Sequence, residues 1–436
     1  MCDRARRRPT APEGAGRQLE RLAARRPALA PEPAGREGVT QSFDLERLRA
    51  ETPGCASGRI HFNNAGAGLM PRPVLEAVHG HLALEADIGG YEAADERREQ
   101  SEDFYAAAAE LLNADPRNVA FANSATDAYA RALSSIPFRT GDVVVTTRDD
   151  YVSNQIAFLS LQKRYGVEIV RAPTLEAGGV DPEAMCGLVE TRRPRLVAVT
   201  HIPTNSGLVQ PIEAIGACCR ALGSLYLVDA CQSIGQYPLD VETIGCGFLT
   251  ATCRKFLRGP RGSGLLFVSD EVLESGYEPL FIDMRGAHWV EPDRYEPVET
   301  AARFEDWEFG YATVIGTAVA IRYALRVGVD EIGRRCTALG TLLRSGLREL
   351  LGARVLDRGE RLCAIVTFEA DGVPGDQLVE ELRLRGINSS ASLRDYALLD
   401  FGDKNVVSCV RLSPHYYNTE EEVEVVLSTV AEVLRR

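Results

Sequence analysis

Lysine is nearly missing from this chain. Its 436 residues hold Lys163, Lys255 and Lys404 and no other lysine, although Lys and Arg together number 49. Cationic side chains are therefore almost always arginines, which stay protonated and cannot form an imine. Positive charge is also in deficit: the formal net charge of −13 argues against non-specific nucleic-acid binding. No apolar run reaches the roughly 18 residues of a membrane span, so no membrane partner is expected. There is no CxxC pair, no zinc-like Cys/His spacing, no phosphate loop of the Walker type and no Ser/His/Asp signature, so no metal site is expected. The eleven cysteines are scattered and odd in number. They read as buried, reduced thiols of a cytoplasmic protein.

What is present is ordinary globular material, 45% hydrophobic and 25% charged, long enough for one large and one smaller domain. Residues 1–40, rich in Arg, Ala, Pro and Gly and without an apolar signal-peptide core, read as a disordered arm. Residues 41–75 form an N-terminal segment in which Ile60-His61-Phe62 runs into a Gly-containing turn. From 76 to 310, short apolar runs at 119–122, 143–147, 167–170, 196–200, 225–228, 248–250 and 265–268 alternate with helical stretches. Runs without polar alternation, spaced by helices, predict a mostly parallel sheet buried on both faces, with one antiparallel strand after the turn at 253–264. Residues 311–436 read as a smaller α+β domain with strands at 362–368 and 406–412. The pattern Thr419-Glu420-Glu421-Glu422 there predicts a capping box before the last helix. The whole is expected to be an α/β protein.

Two segments carry the chemistry. Val228-Asp229-Ala230-Cys231-Gln232-Ser233 puts an acid at the end of a buried strand. Thr252-Cys253-Arg254-Lys255-Phe256-Leu257-Arg258-Gly259-Pro260-Arg261-Gly262 puts a lysine beside a Gly-rich turn. Pyridoxal 5'-phosphate needs such a pair, a lysine for its Schiff base and an acid that keeps its ring nitrogen protonated. Asp229 alone would read as a helix cap; with Lys255 in the chain it reads as the ring partner. Gln232, in the same turn, is a candidate donor to the ring oxygen, or simply a turn residue. Asn123-Ser124-Ala125-Thr126 enters a helix, and its backbone N–H groups with the Thr126 hydroxyl suit a phosphate as well as they suit plain capping. Thr252 and Arg254 would add a hydroxyl and a guanidinium to that phosphate. Tyr151 is a candidate to stack on the ring, or a core tyrosine. Arg411, closing a strand, suits a substrate carboxylate, though its spacing also fits a surface arginine. His201 reads as structural.

Together these motifs resemble class V aminotransferases of the fold-type I pyridoxal-phosphate superfamily, a group that includes cysteine desulfurases, selenocysteine lyases and isopenicillin N epimerases. The resemblance spans about residues 58–436, including Arg411 to Thr419. It implies a homodimer acting on a small amino acid, with Lys255 as the Schiff-base lysine, Asp229 as the pyridinium partner and Gln232 as the ring-oxygen donor. Ala125, Thr126, Thr252 and Arg254 would lie at the phosphate, and Tyr151 would occupy the position of a stacking histidine. Arg411 would hold the substrate carboxylate with help from Thr204 or Asn205.

Three departures narrow the reading. The segment Ile387 to Tyr396, read as the loop that holds the persulfide-forming cysteine in desulfurases, contains no cysteine. Lys255 is preceded by Arg254 rather than histidine. The segment Phe304 to Gly310 lacks the Gly-Thr pair that desulfurases lend to the partner's phosphate. With Glu85 to Tyr91 and Gly259 to Gly262, the pattern resembles the C–S lyase of ergothioneine biosynthesis. The expected activity is β-elimination from a cysteine-derived amino acid. Transamination, epimerisation and a catalytically silent, cofactor-binding partner protein are the alternatives.

Overall fold

Strands that are buried along their whole length can be stable only between two layers, and six of the seven strands that share one sheet here are so buried. The computed structural model describes residues 43–435; the arm expected over 1–40 lies outside them. The strands are β1 (Val119–Ala122), β2 (Val143–Thr146), β3 (Glu168–Arg171), β4 (Leu196–Thr200), β5 (Tyr226–Asp229), β6 (Phe248–Thr252) and β7 (Gly264–Val268). Their order across the sheet is β1-β7-β6-β5-β4-β2-β3. Only β7 opposes its neighbours, pairing antiparallel with both β1 and β6. Successive side chains enter two different cores: Val197 and Val199 pack into one apolar cluster, Leu196 and Ala198 into the other. The exception is the edge strand β3, which carries Glu168 and Arg171 at partly exposed positions, as an edge open to water requires.

The two longest helices that precede the sheet in sequence are α1 (Arg72–Ile88) and α2 (Arg98–Leu112). Within the sheet's span come α3 (Ala125–Ser135), α4 (Val152–Tyr165), α5 (Pro182–Arg192) and α6 (Ile212–Leu222). Ser124 caps α3 through its hydroxyl, which accepts Asp127 N at 3.1 Å. The long helix α7 (Tyr311–Val327) packs on α1 and α2 and is followed by α8 (Val329–Glu349). No single described helix is long and apolar enough to cross a membrane.

The second sheet is antiparallel: β8 (Ala353–Val355), β9 (Val366–Ala370), β10 (Ser390–Leu393) and β11 (Ser408–Leu412), in the order β8-β9-β11-β10. Leu343 and Leu347 of α8, Leu378 and Leu382 of α9 (Gly375–Leu384), and Val426 and Val430 of α10 (Glu420–Leu434) pack with Phe368 and Val410 of this sheet. The capping box is present. Thr419 Oγ1 accepts Glu422 N at 3.1 Å, and Glu422 Oε2 accepts Thr419 N at 3.2 Å.

Three expectations are corrected. Residues 387–396 are not an open loop. Ile387 and Asn388 pair in parallel with Ile60 and His61, and β10 pairs with β11, placing Ser390 opposite Arg411. The strand expected at 362–368 begins only at Val366, because the preceding backbone is engaged elsewhere. Cys363 N donates to Gly207 O at 2.8 Å, and the Cys363 and Ile365 carbonyls accept from the buried guanidinium of Arg344. The cysteines are not all free thiols, since Cys186 of α5 and Cys218 of α6 form a disulfide.

Candidate functional site

Because six strands of the large sheet run one way, their carboxyl ends gather on one side, where ligands of open α/β sheets bind. There β5 delivers Asp229, β4 Thr200, β2 the segment leading to Tyr151, β1 the start of α3, and β6 the Lys255 turn. All face one cavity. Its wall includes Ala125, Thr126, Tyr151, Thr204, Asp229, Gln232, Thr252, Arg254 and Lys255. Of the residues the resemblance assigns to cofactor or substrate, Arg411 and Asn205 are outside that wall. Arg411 joins it indirectly, donating from Nη1 to Thr204 Oγ1 at 2.8 Å and Thr204 O at 3.1 Å. Asn205 donates to Tyr396 O at 3.1 Å instead.

Asp229 is buried and held from two sides. Cys231 N donates to Oδ1 at 2.9 Å and Asn154 Nδ2 to Oδ2 at 3.0 Å. Lys255 is buried too, and burial lowers the pKa of its ammonium below the usual lysine range. Cys231 and Asp229 oppose that shift, while Arg254 and Arg411 add to it. The Lys255 turn is pressed against the chain at 63–68. Gly68 N donates to Arg254 O at 2.8 Å, and a Cβ at Gly68 would lie 2.5 Å from Lys255 O, so only glycine fits. At the other end of the cavity a Cβ on Gly264 would lie 2.7 Å from Ser124 C and 2.8 Å from Ala125 N. The missing side chain lets β7 lie directly under the amino end of α3, whose first N–H groups have no partner within the helix.

Two side chains are placed differently from their expected roles. Gln232 gives its amide protons to Thr204 Oγ1 at 2.8 Å and Ala65 O at 3.1 Å. Its Oε1 is buried without a partner among the described residues, so the atom left for a ligand is an acceptor rather than the expected donor. Arg254 donates from Nη1 to Gly66 O, on the 63–68 turn that Arg411 also reaches through Asn63 Oδ1 at 3.4 Å. Arg411 is buried and its pKa is pushed down to about 10, first by desolvation and further by Arg254.

Sequence reasoning passed over Asn154, Asp150 and Thr200. All three are buried polar residues joined in one network with Asp229. Asp150 sits in the motif that contains Tyr151, and Thr200 ends a strand that is otherwise apolar. A polar residue at the carboxyl end of an apolar strand is the signal that could have found it. Cys231, also in the wall, was read only as part of the Asp229 motif.

A mostly parallel α/β sheet with a lysine and an aspartate converging beyond its strand ends defines a narrow class of enzymes. The chain belongs to the aminotransferase class-V family, whose model matches residues 60–426. A probable cysteine desulfurase of Methanothermobacter thermautotrophicus is 28% identical over 394 residues, covering 89% of this chain and 98% of the relative. A probable hercynylcysteine sulfoxide lyase of Mycobacterium tuberculosis is 27% identical over 381 residues, covering 87% and 91%. Among solved structures, the apo cysteine desulfurase of Thermococcus onnurineus NA1 has a TM-score of 0.81 at 24% identity, covering 89% of this chain and 98% of that one. The complex of a cystine C-S lyase with its product, cysteine persulfide, has a TM-score of 0.78 at 23% identity, covering 87% and 99%. Both structural likenesses bear on the fold.

Pyridoxal phosphate fits the residues present. The amino end of α3 at Ser124, Ala125 and Thr126 lines the cavity with N–H groups suited to a phosphate, Gln232 Oε1 is buried with no partner among the described residues, and Asp229 and Lys255 share the same cavity.

Proposed function

We propose that the chain is a pyridoxal-phosphate-dependent C–S lyase that eliminates a sulfur group from the β-carbon of a cysteine-derived amino acid. The observation that carries this reading is the convergence of Lys255, Asp229 and the Arg411–Thr204 pair on one cavity. Bound there, pyridoxal phosphate supplies an aldehyde that captures an amine and a ring that accepts the electron pair left at the substrate's α-carbon. Lys255, with its lowered proton affinity, is the base for the α-proton. Asp229 holds a proton on the ring nitrogen, and Ala125, Thr126 and Thr252 hold the phosphate. Arg411 orients the substrate carboxylate, with Thr204 bracing the guanidinium. Tyr151 covers the ring. The active unit is a homodimer.

Elimination rather than persulfide transfer is favoured by the cysteines. None lies in the segment 387–396, and burial pushes the Cys363 and Cys409 thiols up to about 12, far from the thiolate a sulfur acceptor needs. The homology to a probable hercynylcysteine sulfoxide lyase supports a C–S bond as the one broken. The test is to offer cysteine and S-substituted cysteines and to assay pyruvate and sulfur products with no amino acceptor present. Pyruvate formed under those conditions is the expected result; a requirement for a keto acid makes the chain an aminotransferase, and inversion of the amino acid without pyruvate makes it an epimerase. Borohydride reduction followed by peptide mapping should label Lys255, and a label elsewhere removes the reading.

A further inference from the structure

Asp229 is tied into a hydrogen-bonded chain that leaves the cavity. Asn154, on the first turn of α4, has two amide protons. Its Nδ2 lies 3.0 Å from Asp229 Oδ2, 3.1 Å from Asp150 Oδ1 and 3.2 Å from Thr200 Oγ1. The Thr200 hydroxyl spends its own proton on Asp150 Oδ1, so the Asn154 protons go to the two carboxylates, the stronger acceptors. Asp150 Oδ1 also accepts Tyr151 N at 2.7 Å, and its Oδ2 accepts Gln155 Nε2 at 2.7 Å. Gln155 Oε1 in turn accepts from the Arg171 guanidinium at 2.9 and 3.1 Å. A continuous path therefore runs from a cation on the edge strand to the carboxylate in the cavity.

We propose that Asp150 is a positioning residue for Asp229: through Asn154 it aims the Asp229 carboxylate at the cofactor ring nitrogen, and while ionised it favours the proton on that nitrogen. This deepens the cofactor reading above and rests on it. The geometry makes Asp150 a second anion one side chain removed from Asp229, where its charge favours a cationic ring nitrogen facing the Asp229 carboxylate. Burial pushes the Asp150 carboxyl up to about 6, against the donors Thr200, Gln155, Asn154 and Tyr151 N, so its charge changes within the range in which enzymes work. The other groups facing it are fixed or accounted for. Burial, with Asp150 and Asp229, holds the Tyr129 phenol of α3 well above its ordinary value, hence neutral. Arg171 stands beyond Gln155. Asp149, next in the chain, is raised to about 7 by burial and by Asp400, with Lys404 opposing.

The test measures the dissociation constant of pyridoxal phosphate from the apo chain across pH 5 to 8 for wild type and Asp150→Asn. The cofactor's own titrations cancel in the ratio of the two. Below the Asp150 midpoint both chains carry a neutral group there and should bind alike. At pH 8 wild type should bind about tenfold tighter, the equivalent of one pKa unit. A constant ratio across pH means that Asp150 is merely structural and overturns the proposal. Should Asp150→Asn fail to fold, Thr200→Val decides. It removes a donor from the ionised carboxylate, so the pH at which binding tightens must move up, and an unmoved half-point overturns the relay. A wild-type chain that takes up no cofactor overturns the relay and the cofactor reading together; one that binds it but shows the flat ratio loses the relay alone.

Discussion

Arg411 and Thr204 meet at 2.8 Å, guanidinium Nη1 to hydroxyl, and the same hydroxyl accepts Gln232 Nε2 at 2.8 Å. One threonine thus braces both Arg411, proposed above to hold the substrate carboxylate, and Gln232 in the turn after Asp229. A hydrogen bond to a charged group contributes about 1.5–3 kcal/mol, so Thr204→Val should raise KM for the amino acid by about tenfold to a hundredfold. Arg411→Ala should raise it further, with a smaller effect on kcat. Arg411→Lys should recover little, because an ammonium cannot offer the paired donors of a guanidinium. Steady-state kinetics on the best substrate checks this, and a kcat effect without a KM effect would remove Arg411 from carboxylate binding.

Lys255 must be neutral to act, and its burial favours the neutral amine. Lys255→Arg should therefore be as inactive as Lys255→Ala, with the charge kept and the chemistry lost. The stability consequence has a definite sign. The folded chain holds the Lys255 proton more weakly than the unfolded chain, so between the lowered pKa and the ordinary value near 10.5 the unfolded state carries more protons. Stability of the apo chain should then rise with pH across that window. Lys255→Met should lack that part of the rise, as urea unfolding of the two apo chains at a series of pH values would show.

The parts legible in the sequence are those written as local patterns. The buried strands and their helices announced themselves by unbroken apolar runs, and the Thr419 capping box by residue type. Lys255 stood out because lysine is so scarce. Asn154 and Thr200 were illegible for the opposite reason. Each is an ordinary residue whose importance comes from contacts across 75 and 46 residues of sequence, and no local pattern records such separations. The edge strand at 390–393 was read as a loop because Ser-rich sequence has weak strand propensity, and its pairing with β11 overrides that. Arg254 was assigned to a phosphate from its place beside Lys255, yet its donor finds Gly66 O on the opposite turn. Spacing along a chain fixes where a long side chain starts and leaves open where it ends.

Gly264 makes a steric prediction. A methyl there would lie 2.7 Å from Ser124 C and 2.9 Å from Ala251 O, both backbone atoms that cannot swing aside. Gly264→Ala should push the first turn of α3 off β7 at a cost of about 1–3 kcal/mol. The phosphate site would move with it. Cofactor affinity should fall while the chain remains folded, readable as loss of bound-cofactor absorbance at unchanged far-ultraviolet circular dichroism. Retained affinity would place the phosphate elsewhere.

His201 makes the fold more sensitive to acid. It follows β4 directly and is 2% exposed. Neither ring nitrogen has a hydrogen-bond partner among the described residues, and Tyr237 packs near its ring at 6.3 Å. Burial pushes its pKa down to about 3, with Arg361 adding to the shift. As pH falls below the ordinary histidine value of about 6.5, the unfolded chain takes up a proton that the folded chain refuses. Stability is then lost at up to about 1.4 kcal/mol per pH unit. His201→Phe keeps an aromatic ring in the same pocket and has nothing to protonate. Between pH 6.5 and about 4.5 the variant should therefore gain about 2–3 kcal/mol on wild type, whichever chain is more stable at neutral pH. His415, also buried with a lowered pKa, is common to both chains and cancels. Urea denaturation at the two pH values measures the difference, and parallel losses in both chains would mean that the His201 ring takes up its proton without unfolding.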